Sequence, residues 1–149
     1  MIFSKDSINL LGAIVANINN IILTGIFLAR IYKYPRIEYW LGILFLSSII
    51  PLILMLINAT ETKREILYFI QLILILGFIV LEFILDYLFK IEFRQNQNIV
   101  IPYLFLFYAS FGGMIGIASQ AGKPWTVITI ITFLLVTALS FIMHFKTNA

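Results

Sequence analysis

A continuous apolar run over residues 66–89 most constrains what this chain can fold into. A helix rises about 1.5 Å per residue and the hydrocarbon core of a bilayer is about 30 Å thick, so a helix over this run can cross a membrane. Of the 149 residues, 62% are hydrophobic and 11% are charged, whereas about 25% of residues are charged in a soluble domain. A soluble globule of this size could not bury so much apolar surface. We therefore expect a polytopic integral membrane protein.

Five segments have close to the roughly 20 apolar residues that a spanning helix needs: 8–29, 37–57, 66–89, 99–119 and 124–145. Short polar breaks separate them, so we predict a single all-α domain, a bundle of about five transmembrane helices with short loops. The first span is the least certain because it contains several asparagines, and a re-entrant or interfacial segment is the alternative there. Pro51 lies inside the second span and predicts a kink.

The distribution of Lys and Arg predicts an orientation. With five spans, one side of the membrane carries Lys5, Lys63, Arg64 and Lys123, and the other carries Arg30, Lys33, Arg36, Lys90, Arg94 and Lys146. The side with more positive charge is expected to be cytoplasmic. We therefore predict a protein integral to a cell membrane, with its N-terminus outside and its C-terminus in the cytoplasm.

Glu82 is an ionisable residue inside the third predicted span. Such a residue is costly in hydrocarbon, so it usually faces the interior of a bundle and pairs with another group or handles a proton or ligand. On a helical wheel, Tyr68, Gln71, Glu82 and Asp86 lie within about 60° of one another. We predict a polar site centred on Glu82 in the cytoplasmic half, which binds a proton, a cation or a small polar or amphipathic molecule. A neutral Glu82 that only hydrogen-bonds a neighbouring helix is the alternative.

Each predicted span has one polar or small face, and we expect these faces to turn inward. Counting equal numbers of residues along the spans places polar residues from four of them at similar depth. The predicted binding cluster consists of Asn20, Thr24, Ser47, Glu82, Asp86, Ser140 and His144. Three members have a simpler interpretation: Asn20 could bond helix to helix, Asp86 could pair with Lys90 at an ordinary helix end, and His144 could be an interfacial anchor.

The fourth span carries a stripe of small residues at Gly112, Gly113 and Gly116. Small residues let helix backbones approach closely. We predict helix packing along this stripe, either within the bundle or between two copies in a homodimer through Gly112 and Gly116.

Several chemistries lack their sequence signatures. The chain has no cysteine, and we find no metal-binding motif, phosphate-binding glycine loop or nucleophile elbow. We therefore expect no metal site and no cofactor, and we lean against an enzyme. No basic run occurs, so the expected surroundings are the lipid bilayer and not nucleic acid.

Three functions are compatible with these features. The leading hypothesis is a small membrane carrier or ligand-binding protein that uses Glu82. The second is a non-catalytic assembly or partner subunit whose polar faces only specify packing. The third is an intramembrane lipid-modifying enzyme that uses Glu82, Asp86 and His144 for acid–base chemistry.

Overall fold

The computed structural model describes residues 3–147, which form helices joined by short loops, and no strand occurs in this range. Five helical spans are long and apolar enough to cross a membrane, which confirms the predicted fold class. In chain order the helices are α1 (Lys5–Ile31), α2 (Pro35–Ser47), α3 (Ile49–Glu61), α4 (Ile66–Glu82) with the π-helical turn Phe83–Leu88, α5 (Gln97–Ser119) and α6 (Lys123–Thr147).

Helix α1 lies at the centre of the bundle, where it contacts α2, α3, α5 and α6. Of its most apolar stretch 61% is buried, against 17–28% in the other four spans. The span that contains the most asparagine is therefore the one that the other helices shield from lipid. It is one continuous helix, and the Ser4 side chain caps its first turn by accepting from the Ser7 N–H at 3.2 Å.

The second span breaks at Ser48, between α2 and α3. Pro51 has no N–H to give to the carbonyl of Ser47, and its ring crowds that carbonyl. The Ser48 N–H turns back to the Phe45 carbonyl at 3.1 Å, and helical bonding resumes from Leu52 to the Ser48 carbonyl at 3.2 Å. Helical hydrogen bonding is therefore interrupted near the proline that predicts a kink, and the break lies one turn before it.

Three helical segments are followed, two residues after their last helical residue, by a lysine with a positive φ angle: Lys33 (60°), Lys63 (50°) and Lys90 (50°). Glycine usually occupies this left-handed position because a side chain strains it. After α1 and α3 the following N–H groups, of Tyr34 and Arg64, return to the carbonyls of Ala29 and Ala59. These bonds satisfy helix-end carbonyls and make the turns sharp.

The third span ends in the π-helical turn, where the Phe89 N–H bonds to the Ile84 carbonyl five residues back, at 2.9 Å. The loop that follows folds back onto the bundle. Phe93 is only 1% exposed, and its ring lies 4.8 Å from the ring of Tyr103 in α5. This contact returns the neighbouring Arg94 to the end of the bundle that contains Glu82, here termed the Glu82 end.

The glycine stripe of α5 is used mainly within the bundle. A side chain at Gly116 would meet the Gln71 amide of α4, and one at Gly113 would come within 3.4 Å of the same residue. A side chain at Gly112 would meet nothing within 4 Å. The packing of α4 against α5 thus uses Gly113 and Gly116. The homodimer remains a prediction, and Gly112 is the glycine of the stripe with open space beside it.

Candidate functional site

A cavity of about 260 Å³, termed the polar cavity, lies at the Glu82 end, where α1 and α4 finish and α2 and α5 begin. Aromatic and aliphatic side chains form its deeper wall. Five charged residues line it: Arg30, Glu38, Glu82, Asp86 and Arg94. Charge is therefore concentrated in a semi-enclosed space at one end of a mainly apolar bundle.

Glu82 is the last residue of α4, and its half-buried side chain faces this cavity. The Tyr103 hydroxyl donates a hydrogen bond to the Glu82 carboxyl group. The Tyr103 ring is held between Phe78 and Phe93, with ring centroids 5.4 and 4.8 Å away. This packing fixes the hydroxyl, and the hydroxyl in turn fixes one carboxyl oxygen of Glu82.

Asp86 and Glu38 are compensated by guanidinium groups. Arg94 approaches the two carboxyl oxygens of Asp86 at 3.2 and 3.5 Å. The Nη2 atom of Arg30 lies 3.9 Å from Asp86, and its Nε atom donates to Glu38. The predicted pairing of Asp86 with Lys90 does not form, because the helix ends at Leu88 and Lys90 lies in the exposed loop.

Glu82 differs from the other two acids of the cavity. Three carboxyl groups face two guanidinium groups, and the ion pairs within 4 Å among residues 3–147 use Glu38 and Asp86. Glu82 has a phenol as its neighbour instead. A carboxyl group that shares a semi-enclosed space with an excess of acid is suited to hold a proton or a cation.

A second polar group, termed the neutral network, lies between α1 and α6. The Asn17 amide donates to the Ala13 carbonyl at 2.8 Å and to the Thr129 hydroxyl at 2.9 Å. The Thr132 hydroxyl donates to the Asn17 side-chain oxygen at 3.0 Å and accepts from Asn20 at 2.9 Å. These bonds join two helices directly, so Asn20 belongs to a packing contact and not to the polar cavity.

The remaining members of the predicted cluster are dispersed. Thr24 donates to the Asn20 carbonyl of its own helix at 2.9 Å, and Ser47 is exposed and donates to the Leu44 carbonyl at 2.6 Å. Ser140 bonds to the Tyr108 hydroxyl at 2.9 Å.

His144 borders a different cavity, as does Ser140. Of the seven predicted residues, the structure brings only Glu82 and Asp86 together in the polar cavity. Equal depth along the helices did not ensure that their side chains face the same space.

Sequence reasoning missed most of the residues that line the polar cavity, and four of them pair with its acids or hold them: Arg30, Glu38, Arg94 and Tyr103. All four lie near the ends of spans, where charges are expected to mark loops and tyrosines are expected to mark the membrane interface. The one feature that could have identified them in the sequence is that all four belong to span ends on the same side of the bundle as Glu82.

Comparison with protein-family models, with curated proteins and with solved structures found no match to this chain. Function is therefore inferred from the residues that line the cavities.

Proposed function

We propose that this chain is a small membrane carrier or ligand-binding protein that binds a small cation, or a proton, at Glu82. The single observation that supports this proposal is the position of Glu82 in the polar cavity. Its carboxyl group is held by Tyr103 and has no guanidinium group within 4 Å in the described part of the chain. A cation that enters the cavity would replace the missing positive charge.

The arrangement of the neighbouring charges supports selectivity for cations. Arg30 and Arg94 are engaged by Glu38 and Asp86, so they do not neutralise Glu82 by direct contact. An anion would instead have to approach three carboxyl groups. Like charges at short range cost free energy in a partly desolvated site, which disfavours anions there.

Carrier action is the part of the proposal that needs the bilayer. The polar cavity lies at one end of the bundle, so transport requires a conformational change that opens the cavity to the other side. The break at Ser48 and the π-helical turn after Glu82 are two places where helical hydrogen bonding is already interrupted. They are where we expect such a change to be accommodated.

The test is to compare Glu82→Gln with the matched control Glu65→Gln, which changes an exposed acid at the opposite end of the same helix. Tetramethylammonium, ethylammonium and sodium ions are titrated at constant ionic strength, and the thermal unfolding of the detergent-solubilised protein is recorded. A ligand that binds the folded state raises the unfolding temperature. We expect at least one cation to stabilise the wild-type protein and the E65Q variant, and its affinity to fall at least tenfold in E82Q.

Flux is measured on the same three proteins in phosphatidylcholine vesicles: a proton gradient is followed with an enclosed pH-sensitive dye, and a gradient of the cation that binds is followed by uptake of the isotope-labelled ion. Loss of flux in E82Q alone supports a carrier, and cation binding without flux supports a ligand-binding protein. Unchanged binding and flux in E82Q would overturn the proposal.

The alternative of a non-catalytic subunit is supported by the neutral network, which shows that much of the polarity of this bundle serves packing. Under that alternative, E82Q lowers stability without affecting any ligand, and purification in mild detergent retains a partner protein. The enzyme hypothesis has less support, because His144 borders a separate cavity and does not line the one that contains Glu82 and Asp86.

A further inference from the structure

A second cavity, termed the apolar cavity, has a volume of about 400 Å³ and lies among α1, α5, α6 and the loop before α5. Most of its wall is apolar. The apolar part includes Phe27, Val100, Leu104, Phe107, Phe141 and Met143. Leu104 and Phe141 are also 39% and 54% exposed on the outer surface of the bundle. The wall between α5 and α6 therefore borders the space where lipid chains would lie.

The polar end of this cavity is lined by guanidinium groups that it shares with the polar cavity. Arg30 and Arg94 line both cavities, but in the apolar cavity they face a single carboxyl group, that of Glu92. His144 adds an imidazole at the same end. Both guanidinium groups are also paired with Glu38 and Asp86, so an anion here would be recognised by the N–H groups that those pairs leave available and not by a net positive charge.

Arg30 directs different edges of its guanidinium group into the two cavities. Its Nε and Nη2 atoms face Glu38 and Asp86. Its Nη1 atom faces the Met143 sulfur at 3.9 Å, and a thioether is a weak acceptor. An anionic oxygen could replace this sulfur and form the strong, charge-assisted contacts that guanidinium groups prefer.

We propose that the apolar cavity binds a single-chain anionic amphiphile from the membrane, with its alkyl chain among the apolar residues and its carboxylate or phosphate head at Arg30 and Arg94. Because bilayer lipid is as apolar as the cavity wall, moving the chain from one to the other provides little selectivity. The head group must therefore provide most of the discrimination. This proposal does not rest on cation binding at Glu82.

The experiment uses the full chain in a non-ionic detergent, with native mass spectrometry to count bound molecules and a titration to obtain the affinity. The probes are oleate and oleoyl lysophosphatidate, which share one chain but differ in the anionic head, and oleyl alcohol, which has the same chain and no charge. We expect one anionic molecule per protein and an affinity at least tenfold weaker for the alcohol. Comparison of oleate with lysophosphatidate distinguishes a free fatty acid from a phospholipid as the source of the anion.

Two variants and two matched controls locate the site. Leu104→Trp fills the apolar wall and Arg94→Gln removes one charge, whereas Phe105→Trp and Lys90→Gln make similar changes at exposed neighbours outside the cavity. We expect L104W and R94Q each to weaken oleate binding at least tenfold and both controls to bind as the wild type does. If L104W does not fold, the comparison of oleate affinity between R94Q and K90Q tests the proposal by itself.

Equal affinity for oleate and oleyl alcohol would overturn the proposal, as would oleate binding that is unaffected by R94Q. Because cation binding at Glu82 is measured with water-soluble probes, either proposal can fail while the other stands.

Discussion

The neutral network between α1 and α6 and the polar cavity at the Glu82 end are the two main groups of polar side chains in this bundle, and they are built differently. In the network, amides and hydroxyls bond to one another across the helix interface at 2.9–3.0 Å, and neither the polar cavity nor the apolar cavity is lined by these residues. In the polar cavity, five charged residues surround open space.

From this difference we infer that the neutral network serves helix packing and that the polar cavity is where binding is to be expected. Asn17, buried in the network, uses both its amide group and its side-chain oxygen on neighbours within the protein, so its polar groups serve contacts between and within helices. Glu82 bonds to one phenol and faces an excess of acid. In a membrane protein, polarity alone therefore does not identify a site, and we expect an incompletely compensated charge beside a cavity to be the better indication of one.

The largest loss of stability should come from removing the Arg30 guanidinium group, which contacts two acids of the polar cavity. Arg30→Ala leaves Glu38 without its partner and Asp86 with one guanidinium group fewer. The side chains of this group are about a fifth to a third exposed, so the loss should lie between that of exposed pairs and that of buried pairs, at about 2 kcal/mol.

The measurement for Arg30→Ala is the free energy of unfolding in mixed micelles, followed by tryptophan fluorescence. Arg36→Ala is the control, since Arg36 is exposed near the same end of the bundle. Equal stability of the two variants would mean that the charges of the polar cavity do not depend on Arg30.

A smaller effect is expected where packing is close but uncharged. Gly116→Leu places a side chain against Gln71, whereas Gly112→Leu places one in open space. Overpacking costs on the order of 1–3 kcal/mol, and the flexible end of Gln71 can move, so we expect about 1.5 kcal/mol for G116L and no change for G112L.

Thermal unfolding in detergent compares the two glycine variants, and light scattering gives the oligomeric state of each. A shift from dimer to monomer in G112L alone would support the predicted homodimer. Equal stability of G116L and the wild-type protein would contradict the close packing of α4 against α5.

The smallest effect is expected in the neutral network. Asn17→Leu removes the bonds to Thr129 and Thr132, and hydrogen bonds between membrane helices contribute about 0.6 kcal/mol on average and about 1.7 at most. We expect a loss of about 1 kcal/mol in unfolding free energy with cation affinity unchanged. Ser47→Leu is the control because Ser47 is exposed and bonds within its own helix.

A loss of cation binding in N17L would contradict this expectation and would mean that the neutral network and the polar cavity act together.

Hydrophobic length and charge spacing were sufficient to predict the five spans, because a helix is the only open structure that satisfies its own backbone in lipid. Pro51 by itself predicted a disturbance of the second span, since the loss of its N–H is local to the chain, and the helix breaks at Ser48. The end of the third span was harder to predict. The returning loop is held against the bundle by Phe93 packing against Tyr103, a contact between residues that a local pattern does not connect.

The candidate site was predictable only in its central residue. Glu82 was identified because an acid within an apolar run is costly wherever the helix faces. Its true neighbours, Arg30, Glu38 and Tyr103, come from three other helices. Wheel and depth counts cannot rank such neighbours, because they give the height of a residue on its own helix and not the rotation of that helix against the others.

The sequence by itself thus determined that this protein is a membrane-spanning helical bundle and that Glu82 needs shielding from lipid, because both follow from the cost of placing polar groups in hydrocarbon. Only the tertiary structure decided which polar residues are satisfied by each other and which face open space. That decision depends on how α1 is surrounded by the other helices, and the relative rotation of packed helices is set by side-chain contacts along their whole length.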